Sequence, residues 1–193
     1  MQVLKESVKQ AILESAEEIL LASRYSGMGM RDIAKLINMS VSNLYKYFPD
    51  KKAIYHELVY AYYIAAKERM TAFLLEENEG NYTEENIRYV SAGLTERLMS
   101  KRNIFLILME NSDNPECYPF KSEMIESLSV HILDESDKSL GYDELIIRII
   151  VKNIWDGIYE IIKDTRDKTL AYERIYHLLK YHFTGLSLFH DLK

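Results

Sequence analysis

Apolar residues recur at spacings of three and four along almost all of this 193-residue chain, and this spacing constrains the fold most. No segment shows the sustained period-two alternation of a half-buried strand. Only three prolines and seven glycines interrupt the pattern, so long helices are expected. The sequence therefore predicts an all-α protein. The pattern is clear at residues 3–23, where one helix face carries Leu4, Val8, Ala11, Ile12, Ser15, Ala16, Ile19 and Leu20.

Turn residues and capping signals divide the pattern into about nine helices. Gly27 and Gly29 follow the first helix, and Pro49 disfavours helical geometry at the residue before it. Asp50 and Thr83 are expected to cap the helices that they precede. The predicted helices span residues 3–23, 30–36, 41–48, 51–77, 84–99, 102–112, 119–138, 142–164 and 168–189.

Charge is distributed unevenly along the chain, whose net charge is −6. Residues 1–55 hold 8 basic and 6 acidic residues (+2), and residues 56–193 hold 16 and 24 (−8). This predicts that only the N-terminal end contacts a polyanion. The longest purely apolar run, residues 104–109, is too short to span a bilayer, and a signal peptide is not expected. With a single cysteine, Cys117, these features predict a cytoplasmic protein without disulfides.

The segment "RDIAKLINMSVSNLYKYFPDKK", residues 31–52, has the pattern of a helix-turn-helix unit. Asn38 tolerates the positive φ that such a turn requires. Ser40 is expected to cap the second short helix through its hydroxyl. The residues expected to be buried are Ile33, Ala34 and Leu36 in the first helix and Val41, Leu44 and Phe48 in the second.

The second short helix carries the chemistry of a recognition helix. Its exposed positions are Ser42, Asn43, Lys46 and Tyr47, with Tyr45 at the edge. Asn can bind adenine through two hydrogen bonds, and Lys and Tyr reach phosphates or guanine. A helix of this length suits major-groove docking. Two alternatives stay open: a solvated helical hairpin inside a larger bundle, or a helical binding module that does not contact DNA, which burial of residues 45–47 would indicate.

Residues 10–58 resemble the N-terminal domain of TetR-family transcriptional regulators, because "IA", "S", "LYKYF" and the lysine after Pro-Asp occur in register. The resemblance implies a DNA-binding domain at residues 1–50 and a ligand-binding and dimerisation domain at 51–193. It also implies a homodimeric repressor, released from a palindromic double-stranded DNA operator by an unknown small-molecule effector. By resemblance, Val41, Ser42 and Asn43 face bases, whereas Tyr45, Tyr47 and Lys51 contact phosphates.

Two positions depart from the family pattern. The usual threonine before the first of the two short helices is replaced by Met28 and Gly29, and the turn glycine by Asn38. Glycine still caps a helix, and free N–H groups at a helix start can bind phosphate, so we expect a weakened contact there. The remaining DNA-binding candidates are Gly29, Met30, Arg31 and Lys46.

The last two predicted helices have apolar stripes wider than one core face requires. We expect them to pair with their copies across a twofold axis as a four-helix interface. Gly157 and Gly185 would permit close approach there, or either could mark only a bend in its helix. A monomer that buries both helices internally is the alternative. The interface candidates are Ile150, Ile154, Ile158, Leu178, His182, Leu186 and Phe189.

Aromatic and methionine residues suggest an apolar effector pocket between the fourth helix and the fifth to eighth helices. Such residues also form ordinary cores, and a fully packed core would favour a protein partner over a small molecule. The pocket candidates are Tyr62, Tyr63, Met70, Phe105, Met109, Trp155 and Tyr159.

Signatures of catalysis are missing from the sequence. It has neither an H-E-x-x-H motif nor a Gly-rich phosphate loop, and Cys117 has no histidine near it in sequence. We therefore expect no enzymatic activity, no metal ion and no cofactor.

Overall fold

The computed structural model describes residues 2–75, 83–135 and 143–191. These residues form nine α-helices and no strand, which confirms the all-α prediction. Within them, no helix combines the length and apolar character needed to cross a membrane. The helices are α1 (Gln2–Gly27), α2 (Met30–Leu36), α3 (Val41–Leu44), α4 (Lys51–Leu75), α5 (Glu84–Ser100), α6 (Arg102–Asn111), α7 (Phe120–Glu135), α8 (Glu144–Asp164) and α9 (Lys168–Asp191).

The predicted helix caps are present. Asp50 Oδ1 accepts a hydrogen bond from the Ala53 amide at 2.7 Å, and Thr83 Oγ1 accepts one from the Asn86 amide at 3.2 Å. Each bond satisfies one of the free N–H groups at a helix start. The local signals at these two helix starts were therefore sufficient to place them.

The backbone of α1 is interrupted near its C-terminal end. Arg24 has φ 61° and ψ 179°, outside helical geometry, so the regular helix ends near the predicted boundary at residue 23. This conformation is one that glycine adopts far more readily than arginine. The next residue, Tyr25, is completely buried.

The chain divides into two compact units, Met1–Ala66 with Asn103–Phe120, and Lys67–Arg102 with Lys121–Lys193. The boundary falls inside α4 and at the start of α6. In the first unit, α2 packs against both α1 and α3. The completely buried side chains of α1 include Ile12, Ala16 and Leu20, which lie on its predicted apolar face.

An aromatic cluster lies within the first unit. The Tyr118 ring stacks on Tyr63 at 4.4 Å and on Tyr55 at 6.0 Å between centroids. The Tyr118 hydroxyl also forms a hydrogen bond with His56 Nδ1. The segment that follows α6 is thereby attached to the N-terminal half of α4.

In the second unit, α9 packs against α5 and α8. Gly157 allows the two last helices to approach closely, because a Cβ atom at this position would lie 2.8 Å from Leu178 Cδ2. The approach occurs within one protomer. The buried residues of α8 are Ile147, Val151, Ile154, Trp155, Ile158 and Ile162.

Leu36 and Val41 differ from the burial expected of them. Leu36 is 52% exposed, and Val41 is half-buried. At 3.6 residues per turn, Leu36 lies roughly 200° around the helix from Ala34. The buried residues of α2 are Ile33 and Ala34, and Leu36 lies roughly 110° around the helix from the midpoint between them, beyond the edge of the buried face.

Candidate nucleic-acid interface

The turn between α2 and α3 depends on Asn38. Its φ of 52° confirms the positive φ expected from the sequence. The Met39 amide donates to the Ala34 carbonyl oxygen at 2.8 Å, and the Asn38 amide donates to the Lys35 carbonyl oxygen at 3.2 Å. This pair of bonds is the Schellman motif, which ends a helix with one left-handed residue.

α3 begins at the predicted cap and ends earlier than predicted. Ser40 Oγ accepts a hydrogen bond from the Asn43 amide at 3.3 Å. Beyond Leu44 the chain continues in a tighter turn, in which the Tyr47 backbone amide donates to the Leu44 carbonyl oxygen at 2.9 Å. The helix predicted for 41–48 is therefore α-helical only at Val41–Leu44. Pro49 disfavours α-helical geometry at the residue before it. The last turn of a helix also commonly closes with i→i+3 hydrogen bonds of the 3₁₀ type.

The polar side chains of this segment lie at the surface. Tyr45 is 51% exposed, Ser42 and Lys46 are exposed, and Asn43 and Tyr47 are half-buried. The apolar side chains Leu44 and Phe48 are buried. The burial of residues 45–47 that would indicate a module without a DNA contact is not observed.

Lys51 lies at the N-terminus of α4 and contacts Tyr25. Its Nζ donates to the Tyr25 carbonyl oxygen at 3.2 Å and lies 4.2 Å from the centroid of the Tyr25 ring. Burial, the first cause, and the nearby Glu116, Cys117 and Asp50 raise the pKa of Tyr25 to about 12, so this phenol stays neutral beside the cation. The half-buried Lys51 ammonium is therefore held in a defined position.

The sequence analysis missed two cations beside Tyr47. An open cleft of about 510 Å³ is lined by Lys9, Lys52, Tyr47 and their neighbours. Lys9 of α1 forms an ion pair with Glu57 of α4 at 2.5 Å, and this hydrogen bond raises the pKa of Lys9. Lys52 directly follows Lys51 and could have been predicted from the sequence. Lys9 carried no signal, because it is far from the motif in sequence.

The start of α2 agrees with the expected glycine cap. Gly29 is the N-cap with extended φ and ψ, and no side chain caps it. A Cβ atom at Gly29 would lie 2.6 Å from Asp32 Oδ2. The Asp32 carboxylate therefore lies beside this helix start, which disfavours a phosphate there. Of the candidates that follow, Met30 is half-buried and Arg31 is exposed.

The effector candidates are distributed over both units. In the first unit, Tyr63 and Phe105 contact the same ring, Phe120, at centroid distances of 6.4 and 6.3 Å. Met109 is also buried, and Tyr62 is half-buried. The candidates in the second unit are Met70, Trp155 and Tyr159, of which Trp155 is buried and the other two are half-buried.

The candidate residues for the dimer interface differ in how far they are buried within the single protomer. Ile154 and Ile158 are buried within the protomer, whereas Ile150, Leu178 and His182 are half-buried. The side chains of Leu186 and Phe189 lie outside the described residues. Large apolar side chains that the sequence analysis did not select are exposed on α8 and α9: Leu145, Ile146, Ile149, Leu170 and Tyr181.

Cys117 has the properties of an unreactive thiol. It is free and half-buried. Burial raises its pKa to about 11, although a hydrogen bond with Tyr55 acts in the opposite direction. At neutral pH the sulfur is therefore protonated, and a protonated thiol is a poor nucleophile.

Residues 12–58 match the family model described as "Bacterial regulatory proteins, tetR family". A curated relative, the HTH-type transcriptional repressor NemR of Escherichia coli K12, is 27% identical over 88 residues. NemR of E. coli O6:H1 matches equally. The aligned stretch covers 46% of this chain and 44% of NemR, so the chain matches less than half of the length of these relatives.

Solved structures of similar fold cover almost the whole chain. Salmonella enterica GusR has a TM-score of 0.53 and 20% identity, over 92% of this chain and 94% of GusR. A protein from Mesorhizobium loti MAFF303099 assigned to the TetR family has a TM-score of 0.52 and 16% identity, over 94% of this chain and 97% of that chain. At these identities the likeness establishes the fold.

The fold and the α2–α3 geometry define a helix-turn-helix unit within an all-helical protein. The family match coincides with these helices and with the start of α4. Residues 12–58 are therefore similar to the N-terminal domain of the tetR family of bacterial regulatory proteins, and the described helices share the fold of solved TetR-family structures.

Proposed function

We propose that this protein is a homodimeric, sequence-specific DNA-binding repressor that places α3 in the major groove. One observation carries the proposal: a capped α3 follows a Schellman turn and presents its polar side chains at the surface. Base edges are read in the major groove by such side chains, and surrounding contacts to phosphates fix the register. The repressor role is carried over from NemR, which is a transcriptional repressor.

Two kinds of contact are assigned to this surface. Val41, Ser42 and Asn43 face the bases at the start of α3, where recognition helices contact base edges. Tyr45, Tyr47 and Lys51 contact phosphates, and Lys46 adds an exposed cation. Gly29, Met30 and Arg31 complete the proposed surface at the start of α2, where the neighbouring Asp32 carboxylate makes the contact at Gly29 a weak one. Only the contacts to base edges specify sequence directly.

The proposed dimer forms through the outer surfaces of α8 and α9. Ile146, Ile149 and Tyr181 are large and exposed in the single chain, which supports their burial by a second copy. Ile150 and Leu178 are half-buried and complete this surface. A twofold axis would place two recognition helices roughly 34–36 Å apart, one turn of DNA, on a palindromic operator.

A small-molecule effector completes the proposal. The buried aromatic and methionine side chains, such as Tyr63, Phe105 and Met109, support an apolar ligand. An effector releases DNA only if it binds more tightly to the state in which the recognition helices lose their spacing. We place the repressor in the cytoplasm and assign it no catalytic activity.

The test is fluorescence anisotropy with the duplex that lies just upstream of the coding sequence, measured across a salt series. We expect tight binding, with one or more dimers per palindrome. Random duplex should compete only at high excess. If this duplex is not bound, selection from a random-sequence library identifies the operator. Failure of that selection to enrich any palindrome would overturn the proposal.

Lys46→Ala and Asn43→Ala separate the two kinds of contact. Lys46→Ala should reduce the slope of log K against log salt by about 0.9 per copy of the chain, with little change in sequence preference. Asn43→Ala should preserve the slope and reduce discrimination at one base position by about 1–3 kcal/mol. An unchanged slope in Lys46→Ala together with an unchanged sequence preference in Asn43→Ala would show that neither α3 nor the turn after it contacts the DNA.

A further inference from the structure

Tyr25 is held on both sides of its backbone by residues distant in sequence. Its amide donates to Asn111 Oδ1 at 2.7 Å, and its carbonyl oxygen accepts a hydrogen bond from Lys51 Nζ at 3.2 Å. The Lys51 ammonium also lies over the Tyr25 ring. Tyr25 thus connects α6, through Asn111, to the first residue of α4. We call Asn111, Tyr25 and Lys51 the Tyr25 clamp.

The orientation of Asn111 is fixed by a second hydrogen bond. Its side-chain Nδ2 donates to the Ile107 carbonyl oxygen of the preceding helical turn at 2.7 Å. Because the amide nitrogen of the side chain is committed to this bond, its oxygen faces the Tyr25 amide. Asn111 is only 3% exposed, so water does not replace either bond easily.

The clamp restricts the Lys51 side chain, which is otherwise long and flexible. An ammonium has three N–H donors, and one of them binds the Tyr25 carbonyl oxygen. The others remain chemically suited to a phosphate oxygen. A cation that is already ordered loses less conformational entropy when it binds, so its phosphate contact is stronger.

We propose that Asn111 is a positioning residue for DNA binding: it fixes Tyr25, and Tyr25 holds the Lys51 ammonium where it contacts a DNA phosphate. This inference rests on the proposed DNA-binding function. Asn111 and Tyr25 are 86 residues apart, so the clamp makes the phosphate contact depend on the last residue of α6. When Asn111 loses its acceptor oxygen, Lys51 loses its fixed position and its phosphate contact.

The experiment compares salt slopes on the operator duplex recovered as described above. Lys51→Ala should reduce the slope by about 0.9 per chain, or about 1.8 for a dimer. Asn111→Ala should reduce it to a similar extent, and the double variant should show no further reduction. Over a fourfold increase in salt, each variant would then lose roughly tenfold less affinity than the wild type.

Two further variants keep the test decisive. Asn111→Leu also removes the acceptor and fills more of the space, so it substitutes for Asn111→Ala if the alanine variant does not fold. Asn103→Ala is the matched control, because Asn103 lies on the same helix and donates to Glu17 of α1 at 2.6 Å without contacting Tyr25. Its slope should equal that of the wild type.

Three results would overturn the inference. The first is a wild-type slope in a folded Asn111 variant while Lys51→Ala reduces the slope, which contradicts only the role of Asn111. The second is an unchanged slope in Lys51→Ala, which removes the phosphate contact itself. The third is the absence of salt-dependent binding by the wild-type protein, which contradicts the proposed function as well.

Discussion

Asn38 adopts a left-handed conformation two residues before Ser40, whose hydroxyl caps α3. These two residues together set the direction in which the chain enters α3. The left-handed residue ends α2, and the cap begins α3 with only Met39 between them. The geometry of the proposed DNA-reading surface therefore depends on the backbone preference of one asparagine.

Replacement of Asn38 should separate backbone strain from side-chain chemistry. Asn38→Ala should lower the free energy of unfolding by about 1 kcal/mol, because a Cβ without a local hydrogen-bonding group disfavours positive φ. Asn38→Gly should change stability by no more than a few tenths of a kcal/mol. Chemical denaturation measures both variants. Equal free energies of unfolding for the two variants would show that the positive φ at position 38 does not determine stability.

Replacement of Arg24 by glycine should, in contrast, increase stability. Its φ of 61° and ψ of 179° fall in a region that glycine occupies almost alone. Arg24→Gly should raise the free energy of unfolding by about 1 kcal/mol, since the strain removed exceeds the added entropy of the unfolded chain. Arg24→Ala is the control, because it removes the side chain and keeps the strain. A gain as large in Arg24→Ala would assign the effect to the side chain.

Local signals predicted much of this fold. The boundaries of most helices followed from the apolar period and from caps such as Asp50 and Thr83, which act within three residues of the helix start. The turn followed from the residue type at position 38. These features were predictable because their cause and their effect lie next to each other in sequence.

Other features depended on tertiary contacts and left no local signal. The Tyr25 amide bonds to Asn111 across 86 residues, and the sequence around neither residue marks the pairing. The wide apolar stripe of α8 could not show which residues face the protomer's own core. Ile154 is buried and Ile149 is exposed, although both belong to the same stripe.

Glu84 should make stability depend on pH at the junction of α5 and α9. Hydrogen bonds from Arg88, Lys180 and Tyr176 lower the pKa of Glu84 from 4.5 to about 2. Because the folded-state pKa is the lower one, the stabilisation is complete above the unfolded value near 4.5. It is lost as the pH falls through about 2.

The Glu84→Gln variant tests this pH dependence. The difference in melting temperature between wild type and Glu84→Gln should be largest at neutral pH and should shrink between pH 4.5 and pH 2. Glu85→Gln is a suitable control, because Glu85 is the exposed neighbour on the same helix turn. A difference that is constant across this range would contradict the assignment to the Glu84 carboxylate.

The proposed dimer can be tested with two tyrosines of equal exposure. Tyr181 on α9 and Tyr89 on α5 are each 76% exposed in the single chain. Only Tyr181 lies on the proposed dimer surface of α8 and α9. Tyr181→Glu would place a charge, and its symmetry copy, in a surface that must lose water. Its dimer dissociation constant should rise at least about 30-fold, which corresponds to about 2 kcal/mol.

Sedimentation velocity across a range of concentrations measures this shift, and Tyr89→Glu shows whether it is specific. Both substitutions remove the same ring and add the same charge at equally exposed helical sites, so their effects on solubility and net charge are matched. A dimer that persists in Tyr181→Glu would contradict the proposed interface. Equal dissociation of both variants would attribute the effect to overall charge, because only an interface distinguishes one exposed tyrosine from the other.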